Sequence, residues 1–354
     1  MHEVNPQKLV YILPEYRDNI ATHFYHNVEL LEQVQERLDI FLIIEKGDFP
    51  KTIKCGYLQR FRFLPLRVLE LVLLLIVLRA RGYHTIWTHY SFFGSIFGSF
   101  IFKKSFYWNC GMPWLYTRGA LEEYFFQLAL RRSNLVIGTE GMKKQYVERY
   151  RLNPERVCVL PNWINLARYE IWRGRKNEAR AKLGLAQDAK VVLFLHHLSK
   201  RKGADVIASV ARAFENDPKV LFLVAGSGPL SGSIVGKNIK LVGEIPQKDV
   251  PMYFAAADIF FMPSEEEGFP HVVLEAMALG VPIVASDVGG VKEFIAPALL
   301  PFVVKQSTGL FVQKIAMLLA DVSLVEKISQ EENRQVSRFA LEGVCEKFVT
   351  LVSG

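Results

Sequence analysis

Two glutamates that lie eight residues apart are the first candidates for chemistry in this sequence. Glu267 lies in an acidic stretch, Ser264–Gly268, and Glu275 lies within a predicted helix that begins near Pro270. Proline suits the first position of a helix, where its missing N–H costs nothing. Ligands of open parallel sheets bind beyond the carboxyl ends of the strands, and helix N-termini attract anions such as a diphosphate. The spacing therefore favours a phosphate-binding loop, with Glu275 accepting hydrogen bonds from sugar hydroxyls, over a solvated acidic loop.

A basic cluster, His196–Gly203, is the second candidate. It follows a predicted strand and precedes a predicted helix, so it lies at the same ligand-binding end of a sheet. Fixed cations at such a position stabilise the negative charge that develops on a departing phosphate. Lys202 and His197 are the residues of interest, and the alternative for both is a solvated basic turn that caps a helix. The turn Gly226–Gly228 follows another strand and is either a plain turn or a ligand-facing loop.

Strands and helices alternate along the whole chain, which predicts parallel sheets with helices on both faces. In the first half, apolar runs predict strands at residues 9–13, 40–44, 85–89, 106–109 and 134–138. In the second half they predict strands at residues 191–195, 220–225, 239–242, 259–262 and 282–285. Helices are predicted near residue 22 and at residues 66–80, 120–131, 203–215, 249–256, 271–279, 291–296 and 331–352. The sequence therefore predicts an α/β fold with two doubly wound, Rossmann-like domains that face each other across a cleft.

The predicted domains are an N-terminal domain, 1–165, and a C-terminal domain, 166–335. A third segment, 336–354, belongs to the final predicted helix, and we expect it to cross back to the N-terminal domain. The segment 162–189 is rich in Arg, Lys and Asn and is the predicted linker.

Composition excludes several classes of protein. The chain has 354 residues, of which 50% are hydrophobic and 22% charged, so it is not intrinsically disordered. The four cysteines are scattered, which excludes a disulfide scaffold and predicts a reducing compartment. The polar start, Met1–Gln7, predicts no signal peptide. The eight histidines form no ligand-spaced cluster, so we expect no metal site.

Charge and aromatic residues are concentrated in the first half. Residues 1–170 contain 22 Lys and Arg against 16 Asp and Glu, whereas residues 171–354 contain 21 against 20. The stretch 83–126 contains 16 aromatic residues, which predicts either core packing or an amphipathic surface for a lipid-linked ligand or an anionic membrane. The apolar run 64–78 is shorter than the roughly 20 residues of a membrane span, so we interpret it as a buried amphipathic helix. Basic residues are dispersed, so nucleic acid is not an expected partner.

Together the motifs resemble those of retaining glycosyltransferases of family 4, the group with the GT-B fold. The likeness covers about residues 155–300 and includes the E-x7-E pair already described. Its other parts are Leu160–Asn162, Val224–Pro229, Leu241–Ile245 and Pro282–Gly290.

The resemblance implies an acceptor-binding role for the N-terminal domain, 1–165, and a nucleotide-sugar-binding role for the C-terminal domain, 166–335. It also implies roles for individual residues. Glu267 would contact the donor sugar near its reacting carbon, and Glu275 would hold the ribose hydroxyls. Lys202 matches a family lysine, whereas His197 stands where the family has an arginine. The remaining residues of the expected nucleotide-sugar site are Gly226, Gly243, Ile245, Phe269, His271 and Val272.

The first-half site is less familiar. Family members often have a glycine pair in the loop that here reads Asp18–Phe24, and this chain has none. Thr22 and His23 are therefore only candidate contacts to the acceptor or donor phosphate, and either Asn19 or Thr22 can instead cap a helix. Asn109 is a further candidate, in a segment where many members have a histidine. His89 follows an earlier strand, and we interpret it as a packed histidine.

The resemblance implies a retaining glycosyltransferase that moves a sugar from a nucleoside diphosphate sugar to a glycan or lipid-linked acceptor, in cell-envelope polysaccharide or glycolipid synthesis. It would need no metal and no cofactor besides the donor, and would act in the cytoplasm, at the inner face of the membrane. The acceptor would attack on the face that the diphosphate leaves. The alternatives are an inactive nucleotide-sugar-binding subunit of a glycan assembly complex and a nucleotide-sugar epimerase, whose first-domain acid and base carboxylates we do not find.

Overall fold

Parallel strands joined by helices form both halves of the molecule. The computed structural model describes residues 6–17 and 24–354. Contacts within the chain divide it into two units. The first unit consists of the chain up to Pro161 together with Glu342–Gly354, and the second unit is Asn162–Leu341.

The first unit is built on a seven-stranded parallel sheet. Its strands are β1 (Gln7–Leu13), β2 (Leu38–Ile44), β3 (Gly56–Leu58), β4 (Thr85–His89), β5 (Lys104–Trp108), β6 (Asn134–Ile137) and β7 (Val157–Val159), in the order β3-β2-β1-β4-β5-β6-β7. Its first helices are α1 (Tyr25–Val34), α2 (Leu64–Ala80), α3 (Phe92–Ile101), α4 (Ala120–Arg132) and α5 (Glu140–Tyr150). Strand β1, in the interior of the sheet, is apolar and buried from Leu9 to Leu13, as expected for a strand covered on both faces.

The second unit is built on a six-stranded parallel sheet. Its strands are β8 (Lys190–Leu195), β9 (Val220–Ala225), β10 (Ile239–Gly243), β11 (Ile259–Met262), β12 (Ile283–Ser286) and β13 (Val303–Val304), in the order β10-β9-β8-β11-β12-β13. Its helices are α6 (Leu166–Glu170), α7 (Lys176–Lys182), α8 (Ile207–Arg212), α9 (Val250–Ala256), α10 (His271–Ala278), α11 (Val291–Phe294), α12 (Thr308–Ala320) and α13 (Val322–Gln335). The predicted helix 203–215 is shorter than expected, because 3-10 turns occupy residues 200–206.

The final helix, α14 (Leu341–Ser353), packs on the first unit. The ring of Phe348 lies 4.7 Å from Trp87 and 6.3 Å from Tyr11, and Gln7 Nε2 donates to Val352 O at 2.7 Å. The prediction of one helix over 331–352 is wrong. The backbone of Ile164 exchanges hydrogen bonds with Phe339 and Leu341, and this pairing separates α13 from α14.

The segment 162–189 is not a free linker. It contains α6 and α7, and Tyr169 and Ala179 are buried in the core of the second unit. The boundaries between the two units lie at residues 161/162 and 341/342, whereas the predicted boundaries lie at 165/166 and 335/336.

Helix α2 packs on the first sheet through one face only. Leu71, Leu75 and Leu78 are buried against Val10 and Ile12 of β1, while other apolar side chains of α2 are exposed. The interpretation of a buried amphipathic helix is therefore correct for one face and wrong for the other. Within the described parts of the chain, no single helix passes the length and hydropathy test for a membrane span. The pair Thr308–Ala320 and Val322–Phe339, bent by 98°, passes it together.

Most of the aromatic stretch 83–126 is core. Seven of its 16 aromatic side chains are buried: Tyr83, Trp87, Phe102, Phe106, Tyr107, Trp108 and Phe126. Five more are partly buried and pack against the core: Phe92, Phe93, Phe97, Trp114 and Phe125. Phe100 and Tyr124 are the most exposed of its aromatic side chains, each at 62%. Core packing, rather than an amphipathic surface, is therefore the main role of this stretch.

Candidate functional site

Lys202 and Glu267 meet at the carboxyl edge of the second sheet. The Lys202 Nζ donates to the Glu267 Oε1 at 2.7 Å, and both side chains are at least nine-tenths buried. Ser264 Oγ donates to the same carboxylate oxygen at 2.8 Å. Lys202 follows β8 and Glu267 follows β11, and these strands are neighbours in the sheet. Parallel pairing thus brings together two residues that are 65 positions apart.

Backbone contacts fix the two loops against each other. Gly203 has φ +70°, and a Cβ at that position would overlap the carbonyl oxygen of Pro263. The Glu265 N–H donates to Arg201 O at 2.9 Å, and Gln306 Nε2 donates to Pro263 O at 3.0 Å. Glycine is therefore required at 203 both for its backbone conformation and for the close approach of the acidic loop.

Burial dominates the electrostatics of the lysine. Loss of solvent lowers the pKa of the Lys202 ammonium below its ordinary value, and the carboxylates of Glu267 and Glu266 offset part of that effect. Glu266 and Glu267 are both 6% exposed. The site thus concentrates opposite charges where water is largely excluded, and an anionic ligand group placed beside Lys202 would interact strongly.

The structure brings His196, rather than His197, to this pair. His197 is exposed, and its backbone N–H donates to His196 Nδ1 at 2.9 Å. His196 Nδ1 is therefore an acceptor, so its neutral ring carries the proton on Nε2, which lies 3.6 Å from Glu267 Oε1. The family motif aligns His197 with the arginine position, but a motif cannot show which of two adjacent side chains faces inward.

Glu275 lies on α10 and is 3% exposed. Its Oε1 accepts a hydrogen bond from Gln247 Nε2 at 3.3 Å, and Gln247 follows β10 in a 3-10 turn. Sequence reasoning missed Gln247, since nothing in its local pattern indicates a contact with a glutamate 28 residues away. The carboxylate is thus held at the base of the loop that also contains Ile245.

The glycine-containing turns after β9 and β10 are joined to each other. Gly226 N donates to Gly243 O at 2.7 Å, and a Cβ on Gly226, whose φ is +135°, would overlap the carbonyl oxygen of His196. Gly243 and Ile245 are half-buried. The predicted residues Gly226, Gly243 and Ile245 therefore lie on connected loops at the same sheet edge as His196.

The start of α10 is anchored by the segment after the first unit. Asn162 Nδ2 donates to Phe269 O at 2.5 Å, and His271 Nδ1 lies 3.2 Å from Trp163 O. The Phe269 ring stacks on Phe294 with centroids 4.0 Å apart, so its side chain belongs to the core. Val272 and His271 are half-buried at the helix start. Any ligand contact by Phe269 must therefore use the backbone, whose carbonyl is already bound by Asn162.

Predicted residues of the first unit are only partly described. Thr22 and His23 lie outside the described residues. Asn109 is buried after β5, and its Oδ1 accepts from Gly111 N at 3.0 Å, so it shapes a turn. His89 is packed as predicted, with its Nδ1 3.1 Å from Asn27 Oδ1.

A polar pair at the edge of the first sheet was missed. Glu45 follows β2 and accepts a hydrogen bond from Ser91 Oγ, which also accepts from the Gly94 N–H and caps α3. Burial raises the pKa of the Glu45 carboxyl, and the hydrogen bond from Ser91 offsets part of the effect. A single glutamate after an apolar run gave no sequence signal.

The described residues contain no group of three or more His, Cys, Asp or Glu side chains suited to a metal ion. The polar atoms at the edge of the second sheet come instead from Lys202, His196, Gln247 and the two glutamates. They can bind an anion and hydroxyl groups.

Part of the second unit resembles a known protein family. The family model described as "Glycosyl transferases group 1" matches residues 175–335, a range that includes Lys202, Glu267 and Glu275. TuaC of Bacillus subtilis, named for teichuronic acid biosynthesis, is 32% identical over 177 residues, which cover 50% of this chain and 44% of TuaC. The D-inositol 3-phosphate glycosyltransferase of Corynebacterium efficiens is 29% identical over 244 residues, 64% of this chain and 58% of that protein. This chain thus spans about half the length of the curated relatives it matches.

Solved structures match the chain over nearly its whole length. Sucrose-phosphate synthase from Thermosynechococcus elongatus superposes with a TM-score of 0.80, 19% identity and 98% coverage of both chains. Anabaena HepE in complex with UDP-glucose superposes with a TM-score of 0.80 and 16% identity, covering 98% of this chain and 99% of HepE. At these identities the likeness shows the fold, and it confirms the predicted GT-B class. Residues 175–335 of this chain match the glycosyl transferases group 1 family, and its two Rossmann-like units have the GT-B fold.

Proposed function

We propose that this protein is a retaining glycosyltransferase that moves a sugar from a nucleoside diphosphate sugar to a glycan or lipid-linked acceptor. The observation that carries the proposal is the buried hydrogen bond between Lys202 and Glu267, with Glu275 on the helix that follows. A cation held in a poorly solvated site is what the departure of a diphosphate requires. The match of residues 175–335 to the glycosyl transferases group 1 family supports the same chemistry.

In the proposed reaction the bond between the anomeric carbon and the diphosphate oxygen breaks, and the acceptor oxygen bonds to that carbon on the same face. Lys202 stabilises the negative charge on the leaving phosphate. The acceptor proton passes to that phosphate, so no protein base is needed. Glu275 accepts hydrogen bonds from the ribose hydroxyls, and Glu267 faces the sugar.

A nucleotide donor is supported by relatives of the same fold, since HepE was solved with UDP and with UDP-glucose. The names of TuaC and the D-inositol 3-phosphate glycosyltransferases indicate glycoconjugate synthesis for those proteins. We propose a role of this kind here, in the cytoplasm. We also propose transfer without a metal, because Lys202 supplies a positive charge; EDTA should then leave turnover unchanged.

The test begins with a thermal-shift panel of UDP- and GDP-sugars, because a ligand that binds the folded state raises the melting temperature. The sugar that gives the shift is then used as donor in a transfer assay with glycan and lipid-linked acceptors. Glu275→Gln should lose most of the shift and the transfer, whereas the exposed neighbour Glu265→Gln should retain both. A panel in which no nucleotide sugar shifts the melting temperature would contradict the proposal.

A second candidate is a nucleotide-sugar-binding subunit without transferase activity. It is favoured by one observation: His197, at the position where the family has an arginine, is exposed. Donor-induced stabilisation by Glu275-dependent binding, with no transfer to any acceptor, would support this candidate. Conversion of the donor sugar without an acceptor would instead indicate an epimerase.

A further inference from the structure

Helix α2 presents apolar side chains on two opposite faces. Its inner face is buried in the first unit through Leu71, Leu75 and Leu78. Its outer face and the residues just before it are exposed by 44–67% and comprise Phe61, Phe63, Leu64, Leu66, Leu69, Leu73, Ile76 and Val77. We name these eight residues the α2 outer face.

The spacing places half of the outer face on one stripe. Leu66, Leu69, Leu73 and Ile76 recur at intervals of three, four and three residues, which is a single side of a helix. A helix of 17 residues is about 25 Å long, so the stripe is extended rather than a single exposed side chain. Isolated exposed apolar residues are normal, but a continuous apolar stripe marks a surface that binds something.

Positive charge surrounds the stripe. Residues 60–81 contain five arginines, Arg60, Arg62, Arg67, Arg79 and Arg81, and one acidic residue, Glu70. Glu70 of α2 accepts hydrogen bonds from Tyr57 Oη of β3 at 2.7 Å and, in the loop before α2, from the Arg60 N–H at 3.1 Å. Arg60, Arg62 and Arg67 lie at the N-terminal end of α2, and Arg79 and Arg81 lie at its C-terminal end. Between the two basic ends lie Leu69, Leu73, Ile76 and Val77 of the outer face. This distribution complements a surface that is apolar inside and anionic at its border.

The same distribution disfavours a second copy of this chain as the occupant. Two such helices packed against each other, parallel or antiparallel, would bring arginine-rich ends together, and juxtaposed like charges oppose association. An anionic bilayer supplies both the apolar environment and the opposite charge.

We propose that the α2 outer face docks this protein on the surface of an anionic lipid bilayer. Helix α2 lies parallel to the bilayer plane, its leucines enter the boundary between headgroups and acyl chains, and its arginines contact lipid phosphates. It does not cross the bilayer, because its inner face remains packed on the first sheet. The inference does not depend on the proposed transferase activity.

The full chain is tested by co-sedimentation with vesicles of phosphatidylcholine alone and of phosphatidylcholine with about 30% phosphatidylglycerol. We expect binding to the anionic vesicles, weaker binding to the neutral ones, and partial release by salt because screening reduces the electrostatic part. The double variant Leu69→Gln with Leu73→Gln should bind at least about tenfold more weakly, because apolar side chains carry the insertion. Its matched control, Val235→Gln with Val322→Gln, changes two exposed apolar residues of the second unit and should bind like the parent.

A second pair of variants tests the charges. Arg62→Glu with Arg81→Glu should weaken binding to anionic vesicles and have little effect on neutral ones. Arg212→Glu with Lys237→Glu makes the same charge change at exposed positions of the second unit and should have a smaller effect. Circular dichroism and an unchanged melting temperature establish that each variant is folded.

Three results would overturn the proposal. They are failure of the folded full chain to bind anionic vesicles, equal binding by the α2 and control variants, and self-association that only the α2 variants lose. The last result would assign the face to a second copy. Because the assay contains no nucleotide sugar, its failure is separate from a failure of the proposed activity.

Discussion

The Lys202 ammonium group donates a 2.7 Å hydrogen bond to the Glu267 carboxylate, although 65 residues separate the two side chains along the sequence. Each follows a strand of one parallel sheet, and each is held by its own loop backbone. Removing either partner leaves a buried charge, which costs more than the pair contributes. A pair of this kind is therefore weak evidence of a purely stabilising role and stronger evidence of a binding site.

Replacing Lys202 tests directly whether the pair belongs to a binding site. Lys202→Gln removes the cation beside the proposed phosphate, so we expect kcat to fall by about 10²–10³, the usual effect of losing one electrostatic contact to a transition state. The exposed neighbour Lys200→Gln is the matched control and should stay within about twofold of the parent. Initial rates with the donor identified by thermal shift measure both. A folded Lys202→Gln variant with parental turnover would contradict the role.

Gly203 offers a test of how the two loops are fixed. Gly203→Ala forces a side chain against the Pro263 carbonyl and keeps an unfavourable positive φ. We expect a loss of stability of about 1–3 kcal/mol and a smaller donor-induced shift, because the lysine and acidic loops must separate. Gly184→Ala is the control, since Gly184 has φ +61° but no atom within 4 Å of the added Cβ. It should cost about 1 kcal/mol, from the backbone alone. Equal losses for the two variants would show that the loop contact does not matter.

The sequence predicted local elements better than long-range contacts. The strands over 220–225 and 259–262 have the predicted bounds, because each is a continuous apolar run that ends at turn residues. The final helix was mispredicted because its apolar pattern continues past residue 336, whereas the break arises from pairing with Ile164, far away in the chain. The fold class is confirmed, since alternation of strands and helices does not depend on such details.

The site residues also divide into those that the sequence could identify and those that only the folded structure reveals. Lys202, Glu267 and Glu275 could be selected because their types and positions after strands carry information. Gln247 and Ser264 could not, since their contacts with the glutamates exist only in the folded chain. The exposed side of α2 was missed because periodicity identifies apolar faces but not which of them the protein covers.

We expect opposite results from replacing the two adjacent histidines, His196 and His197. His196 Nε2 lies 3.6 Å from Glu267, whereas His197 is exposed. We therefore expect His196→Ala to lower kcat by about tenfold or more, and His197→Ala to have little effect. Initial rates of both variants, measured with the donor identified by thermal shift, check the assignment. A larger loss for His197→Ala would restore the role that the family motif implies for it.

The buried carboxyl group of Glu332 should make the free energy of unfolding depend on pH, independently of the candidate site. Its side chain is fully buried on α13, and neither carboxylate oxygen has a hydrogen-bond partner among residues 6–17 and 24–354. Burial raises the pKa of this carboxyl well above its ordinary value. The folded state thus retains a proton that the unfolded chain releases. The stability contributed by the neutral acid is fully present below the unfolded pKa and is lost as pH rises toward the folded pKa.

Glu332→Met should therefore be more stable than the parent at pH 8, and the difference should shrink toward pH 5. Between the unfolded and folded pKa values, the difference in free energy of unfolding should change by about 1.4 kcal/mol per pH unit. Glu326→Met, an exposed change on the same helix, should show no comparable slope. Urea unfolding of the parent and both variants at several pH values measures this pH dependence of the free energy of unfolding. Parallel profiles for the parent and Glu332→Met would mean that this carboxyl finds a partner or water in solution, because an isolated buried acid must titrate with a raised pKa.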